Sequence, residues 1–179
     1  MRIISGKFQR RIIKPPSNLP VRPTTDIAKE ALFNILNNHF DFDGLRVLDL
    51  FAGTGSISYE FASRGAGRVV AVDSNPRCTA FIGSTIQSLE LSQNMMVVRA
   101  DVFKFLATCR SEFDIVFADP PFDLSDIETL PNLVLERNIL VSGGWLVLEH
   151  PSRLHFDSNT RLIDKRNYGK VNFSIFEQP

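Results

Sequence analysis

Leu45-Arg46-Val47-Leu48-Asp49-Leu50-Phe51-Ala52-Gly53-Thr54-Gly55 (LRVLDLFAGTG, residues 45–55) is the stretch that decides the fold. A short apolar run of strand length passes straight into a Gly-x-Gly turn, and a helix-capable stretch at 55–64 follows. The same rhythm recurs downstream in RVVAVD (68–73), MMVVRA (95–100), FDIVFAD (113–119) and GWLVLEH (144–150). Helix-capable stretches at 76–91, 102–110 and 125–139 separate these runs. Apolar runs alternating with helices imply crossover units and a parallel sheet buried on both faces. The tail departs from this pattern. TRLIDKR (160–166) and KVNFSIF (170–176), joined by Asn167-Tyr168-Gly169, read as an antiparallel hairpin. The expected architecture is a three-layer α/β domain with five parallel strands and an antiparallel finish.

Upstream of residue 45 the chain reads differently. Residues 1–24 form a basic arm in which Ile3, Ile4, Ile12 and Ile13 suit two short strands of a hairpin extension. Pro15, Pro16, Pro20 and Pro23 exclude a helix there. The main domain is expected over 25–179. It opens with a helix over TTDIAKEALFNILNNH, capped by Thr25 or Asp26, whose apolar stripe is formed by Ile27, Ala31 and Ile35 with Ala28, Leu32 and Leu36 beside them.

The 179 residues fit one domain at roughly 100–200 residues each. Apolar residues at 44% and charged residues at 22% are ordinary for a globular chain. No apolar run reaches the roughly 18–20 residues of a membrane span, and no signal-like stretch follows the basic N-terminus. Cys78 and Cys109 lie apart without a CxxC pair, so neither a disulfide framework nor a Cys-rich metal site is expected. His39, His150 and His155 are dispersed and suggest no metal, and Trp145 reads as core. A reducing cytoplasm is the expected compartment. The net charge of zero hides an asymmetry: Arg2, Lys7, Arg10, Arg11, Lys14 and Arg22 give residues 1–25 a charge of +6, and the rest carries −6. Such an end suits a polyanionic partner, or is simply a solvated basic face.

Ligands of a doubly wound sheet sit at the carboxyl ends of its strands. Gly53 and Gly55 after the first run let a ligand approach the backbone, although Gly-x-Gly also suits a plain tight turn. Asp73 ends the second run 18 positions after Gly55, a spacing at which an acid accepts ribose hydroxyls. Its alternative role is a cap for the next helix. Ser58 stands where a dinucleotide fingerprint needs a third glycine, and Asp49 adds a carboxylate that repels a pyrophosphate. A cationic ligand would be welcome instead, which favours S-adenosylmethionine over NAD. Asp101 ends the third run, either to accept from an adenine amine or to cap the following helix.

The fourth run ends in Asp119-Pro120-Pro121-Phe122. Two prolines stiffen the loop and remove two backbone donors. The Asp119 carboxylate and the Pro120 carbonyl remain as acceptors for an exocyclic amine, and Phe122 offers a surface for stacking a base. The lone pair of a nucleobase amine is delocalised into the ring. Acceptors on its hydrogens draw the nitrogen toward tetrahedral geometry and free the lone pair to attack a methyl donor.

DxFxGxG at 49–55 followed by DPPF at 119–122 resembles the class I, Rossmann-like S-adenosylmethionine-dependent methyltransferases that modify exocyclic amines of nucleobases. RIISGKF at 2–8, RPTTDIAKEALFNIL at 22–36 and the Tyr168-Gly169 tail are similar to the RsmD family, bacterial 16S rRNA guanine-N2 methyltransferases. The resemblance covers essentially the whole chain. It implies a mostly parallel seven-stranded sheet with the last strand antiparallel, and a small N-terminal extension that helps hold RNA. It implies methyl transfer from S-adenosylmethionine to a guanine of 16S rRNA (guanine 966 in that family), leaving S-adenosylhomocysteine and needing no metal. By position, Asp49, Phe51, Gly53 and Gly55 would line the cofactor, Asp73 would bind its ribose and Asp101 its adenine. Asp119, Pro120, Pro121 and Phe122 would hold the guanine. Gln9-Arg10-Arg11 and Lys29 depart from the more usual residues of that family but keep the positive charge.

A monomer acting on 16S rRNA or the small ribosomal subunit, with no membrane partner, is the resulting expectation. Its rivals are a DNA adenine-N6 or cytosine-N4 methyltransferase, for which 179 residues leave little room for target recognition, and an idle RNA-binding protein of the same fold.

Overall fold

Each apolar run of the sequence becomes a strand in the structure, a computed structural model that describes residues 1–19, 25–169 and 171–179. The elements run α1 (Asp26–Asn37), β1 (Arg46–Leu50), α2 (Ser56–Ser63), β2 (Arg68–Asp73), α3 (Pro76–Ser88), β3 (Met95–Arg99), α4 (Val102–Thr108), β4 (Phe113–Ala118), α5 (Leu130–Leu135), β5 (Leu140–His150), β6 (Leu162–Tyr168) and β7 (Val171–Glu177). They build one seven-stranded sheet of order β3-β2-β1-β4-β5-β7-β6. β1 through β5 are mutually parallel, and β7 runs antiparallel to both β5 and β6. The chain moves outward from β1 to β3 and then returns to place β4 on the other side of β1. The carboxyl ends of β1 and β4 therefore flank the switch point of the sheet, where such folds hold ligands.

Why the central runs are apolar at every position is visible in the packing. In β1, Val47 faces one buried cluster with Val69, Ile115, Val147 and residues of α1, α2 and α3, whereas Leu48 and Leu50 face a second with Val70, Val116, Leu146 and residues of α4 and α5. Both faces of the sheet are covered, so alternation disappears. Trp145 and Cys78 lie in this buried interior.

Four local expectations need correction. Of the expected α1 stripe Ala28, Leu32 and Leu36 are buried, but Lys29 and Phe33 complete the buried face in place of the expected Ile27, Ala31 and Ile35, and Ile27 is 78% exposed. Phe33 turns the helix, because its ring packs on Phe61 and Phe42 with centroids 4.7 and 5.9 Å away. The helix expected over 125–139 shrinks to a 3₁₀ turn at Ile127–Thr129 and the six residues of α5. The remainder feeds β5, whose irregular register against β4 begins at Leu140. Among its described residues the arm has one isolated antiparallel bridge, Arg2 with Ile12, flanked by bonds from Ile3 N–H to Arg11 O and from Ile13 N–H to Met1 O. It is a hairpin short of two full strands, with Ile3 and Ile13 buried in the first core cluster. Finally, the tail hairpin is tighter than expected, since Tyr168 itself pairs with Val171.

Candidate active site

The strand ends are stitched together one or two residues beyond the sheet proper. Ala52 N–H donates to Val72 O (3.0 Å), Ala100 N–H to Asp73 O (3.1 Å) and Asp119 N–H to Leu50 O (3.3 Å). The loops after β1, β2, β3 and β4 thus share one edge. Within the first of them Phe51, Gly53 and Gly55 have φ of 60°, 55° and 78°. A phenylalanine held in the left-handed region is a strain that functional loops concentrate. Gly55 admits no side chain, because a Cβ there would lie 2.8 Å from the Tyr59 ring.

Asp49, Asp73, Asp119 and Glu149 stand within one residue of a strand's carboxyl end, and each is preceded by a residue of the second core cluster (Leu48, Val72, Ala118, Leu148). The pleat therefore puts all four carboxyl groups on the same face of the edge. Asp49 is fully buried and accepts from both the N–H and the hydroxyl of Ser58, closing the first turn of α2. This explains the serine in place of a third glycine. Burial pushes the Asp49 carboxyl up to about 7 against the pull of the Ser58 bonds, with the charges of Asp119 and Asp73 adding to it. Asp73 accepts from Gly53 N–H (2.8 Å) and from Asn75 N–H (2.7 Å), so it joins the loops after β1 and β2. The cap of α3 is Asn75 instead. Asp101 is exposed and caps α4 by accepting from Lys104 N–H with one oxygen (3.0 Å).

In the Asp119–Phe122 loop the carbonyls are already divided. Pro121 O accepts from Leu124 N–H (2.9 Å), and Phe122 O accepts from the Arg153 guanidinium. Pro120 O takes no part in these bonds. The Phe122 ring is 39% exposed. Asp119 is half-buried at the strand end, and burial raises its carboxyl with no hydrogen bond to oppose it. Sequence reasoning passed over two neighbours of this loop: Arg153, and Glu149, which is buried with Oε2 free of any hydrogen-bond partner among the described residues. Glu149 ends an apolar run just as Asp73 and Asp119 do, and that was its available signal.

The arm residues lie elsewhere. Arg2 pairs with Asp26 (3.4 Å), Lys7 sits 5.3 Å from the Phe8 ring centroid, and Arg10, Arg11 and Lys14 are exposed. Arg22 falls outside the described residues. The arm is fastened by a network that the sequence did not reveal. Buried Glu60 of α2 accepts from Ile4 N–H (2.8 Å) and Ser5 N–H (3.0 Å), and pairs with Arg64 (2.9 Å) and with buried Lys29 (3.8 Å). Lys29 also donates to Arg2 O. Among the described residues no cluster of three His, Cys, Asp or Glu side chains could hold a metal, and no helix is long and apolar enough to cross a membrane.

A family model described as conserved hypothetical protein 95 matches residues 1–177. The chain is 33% identical over 184 residues to YlbH of Bacillus subtilis, covering 99% of each protein. It is 34% identical over 149 residues to ribosomal RNA small subunit methyltransferase D of Escherichia coli K12, covering 83% of this chain and 71% of that one. A hypothetical protein of Thermus thermophilus superposes on it with a TM-score of 0.85 at 28% identity, over 99% of both chains. The Thermus thermophilus 16S rRNA N2 G1207 methyltransferase RsmC, solved with AdoMet and guanosine, shares the fold (TM-score 0.68, 21% identity, 87% of this chain and 44% of that one). With nearly its whole length matched, the chain belongs to the conserved hypothetical protein 95 family, the RsmD family that its motifs resemble.

Proposed function

We propose that this chain transfers a methyl group from S-adenosylmethionine to the exocyclic N2 amine of a guanine in 16S ribosomal RNA. The observation that carries the reading is the Asp119–Phe122 loop: a half-buried carboxylate and a proline carbonyl that accepts no backbone bond among the described residues stand at the switch point of the sheet beside the partly exposed Phe122. Family membership, with a relative named for small-subunit rRNA methylation, supports the substrate class.

The residues present fit the cofactor. The curled backbone at Phe51, Gly53 and Gly55, with a carboxylate at either side, makes a cradle that a cationic ligand suits and that a Cβ at Gly55 would disturb. Asp73 would bind the ribose through lone pairs its two backbone contacts leave open, Asp101 the adenine amine through its second oxygen, and Asp49 would lie toward the methionine end. When bound, S-adenosylmethionine supplies an electrophilic methyl group on a sulfonium, which needs no metal.

The protein's own share is to hold and orient the nucleophile. Phe122 stacks on the base. Asp119 and Pro120 O accept the two amine hydrogens, which keeps the nitrogen lone pair free for attack. Pro121 and Arg153 fix the loop so that these acceptors are preorganised, and little reorganisation is needed at the moment of reaction.

Asp119→Ala should lower the single-turnover methylation rate at saturating cofactor by roughly 10²–10³, the scale for one preorganised polar contact. Asp119→Asn should be milder, since its amide oxygen still accepts one N–H. Both variants near the wild-type rate would reduce the loop to a structural turn.

A further inference from the structure

Glu149 is a buried acid without a counterion. No ion pair reaches it among the described residues, its Oε2 has no hydrogen-bond partner, and the residue opposite it on β7 is Phe173. An ionised carboxylate left in this state carries a large desolvation cost, whereas a protonated carboxyl carries far less. On the other side, Ala118 of β4 pairs with Leu148 of β5, so the next residues along these parallel strands, Asp119 and Glu149, are neighbours on one face. His150 does not intervene, being turned to Ser174 Oγ (2.8 Å) and Pro151 O (3.0 Å).

We propose that Glu149 is a positioning residue for the methyl transfer: it holds one proton in a dyad with Asp119, so that the negative charge of the pair resides on the carboxylate that meets the base amine. The proposal rests on the methyltransferase reading above and adds a residue to it. Two adjacent carboxylates in a dry site do not both ionise at neutral pH, because each charge raises the proton affinity of the other. The groups that face the pair agree with this. Burial and the Asp119 charge both hold the Glu149 carboxyl above the ordinary range, and Asp119 in turn pushes up Asp49. Asp119 is the half-buried member and Glu149 the buried one, so the charge belongs on Asp119.

The arrangement also accounts for the proton of the reaction. As the bond between N2 and the methyl carbon forms, the carbon–sulfur bond breaks with its electron pair going to sulfur, and N2 sheds one proton. Asp119 takes that proton, and the dyad then returns one to solvent. Were Glu149 ionised as well, its repulsion would displace Asp119 from the amine.

Glu149→Gln mimics the protonated acid and separates these ideas. The infrared spectrum of the wild-type protein at neutral pH should contain a protonated-carboxyl stretch that the wild-type minus E149Q difference assigns to Glu149. The wild-type single-turnover rate should show two steps with pH, the alkaline one being lost in E149Q. Thermal melting gives a third reading. A carboxyl raised in the folded state favours folding fully below the ordinary carboxylate range, and that contribution is lost as pH rises through the raised value. The melting temperature should therefore fall less steeply toward alkaline pH in E149Q than in wild type.

If E149Q does not fold, the carboxyl stretch is followed in Asp119→Asn, where loss of the neighbouring charge should move its titration to lower pH. Absence of any protonated-carboxyl stretch from Glu149 overturns the proposal whatever the substrate proves to be. Methyl transfer with an unaltered pH profile in E149Q overturns it alone and leaves the functional reading standing. Failure of the wild type to methylate any RNA overturns both.

Discussion

At the scale of single residues the site is a set of carboxyl groups sorted by their partners. Asp49 is held by Ser58, and Asp73 by the backbone of Gly53 and Asn75, while among the described residues Glu149 Oε2 has no hydrogen-bond partner. The first two shape the loops; Glu149 and its neighbour Asp119 are the pair to which the proposals assign the chemistry. Asp73 has both duties, and its removal should be read accordingly. Asp73→Ala should weaken S-adenosylmethionine binding by about 1.5–3 kcal/mol, the scale of hydrogen bonds to a charged group. Calorimetry on a variant that still melts cooperatively checks this, and unchanged affinity would remove Asp73 from the ribose site. Asp73 and Asp119 were legible in the sequence because each closes an apolar run, and Asp49 because it interrupts one just before the Gly-x-Gly turn. Glu149 closes one too, but its significance depends on which strand lies beside β5, and no spacing along the chain states that β4 does. Asp101 shows the opposite case: the cap that its position permitted is present in the structure, and its second oxygen is left over.

The elements carry a different lesson. β1 to β5 were legible because double-sided burial demands uninterrupted apolar runs, a local property of sequence. The face of α1 was legible only in part (Ala28, Leu32 and Leu36), because its other two residues are set by tertiary partners, the aromatic contact of Phe33 with Phe61 and the pairing of Lys29 with Glu60. The arm is likewise decided by contact rather than propensity. Gly6 (φ 83°) approaches α2 so closely that a Cβ would lie 1.8 Å from Ser63 O, and Lys7 N–H donates to that same oxygen (2.7 Å). Gly6→Ala should therefore unseat the arm from α2 without unfolding the sheet. Limited proteolysis should then cut within residues 1–19 of the variant but not of the wild type, and equal protection would show that the arm is held by other contacts. Lys29 secures the same junction from inside. Its replacement by Ala leaves Glu60 without a buried partner, a loss that typically costs about 3–5 kcal/mol, here partly offset by Arg64.

For the whole molecule, the division of charge matters most. Residues 1–25 hold six basic residues and no acid, and the strand edge holds Asp49, Asp73, Asp119 and Glu149, a division that suits the proposed use of the arm for a polyanion and of the edge for a cationic cofactor. Reversing Arg10 and Arg11 to Glu should weaken RNA binding and flatten its dependence on salt, since fewer counterions are released, while S-adenosylmethionine affinity stays level. An unaltered salt slope would make the arm a solvated face. The most direct measurement is the chemical identity of the product. Small ribosomal subunits, free 16S rRNA and duplex DNA are each incubated with the protein and methyl-labelled S-adenosylmethionine, then digested to nucleosides and separated. Label in N2-methylguanosine from one of the RNA substrates is the predicted result. Label in N6-methyladenine or N4-methylcytosine from the DNA, or no label above background in any of the three, would contradict it.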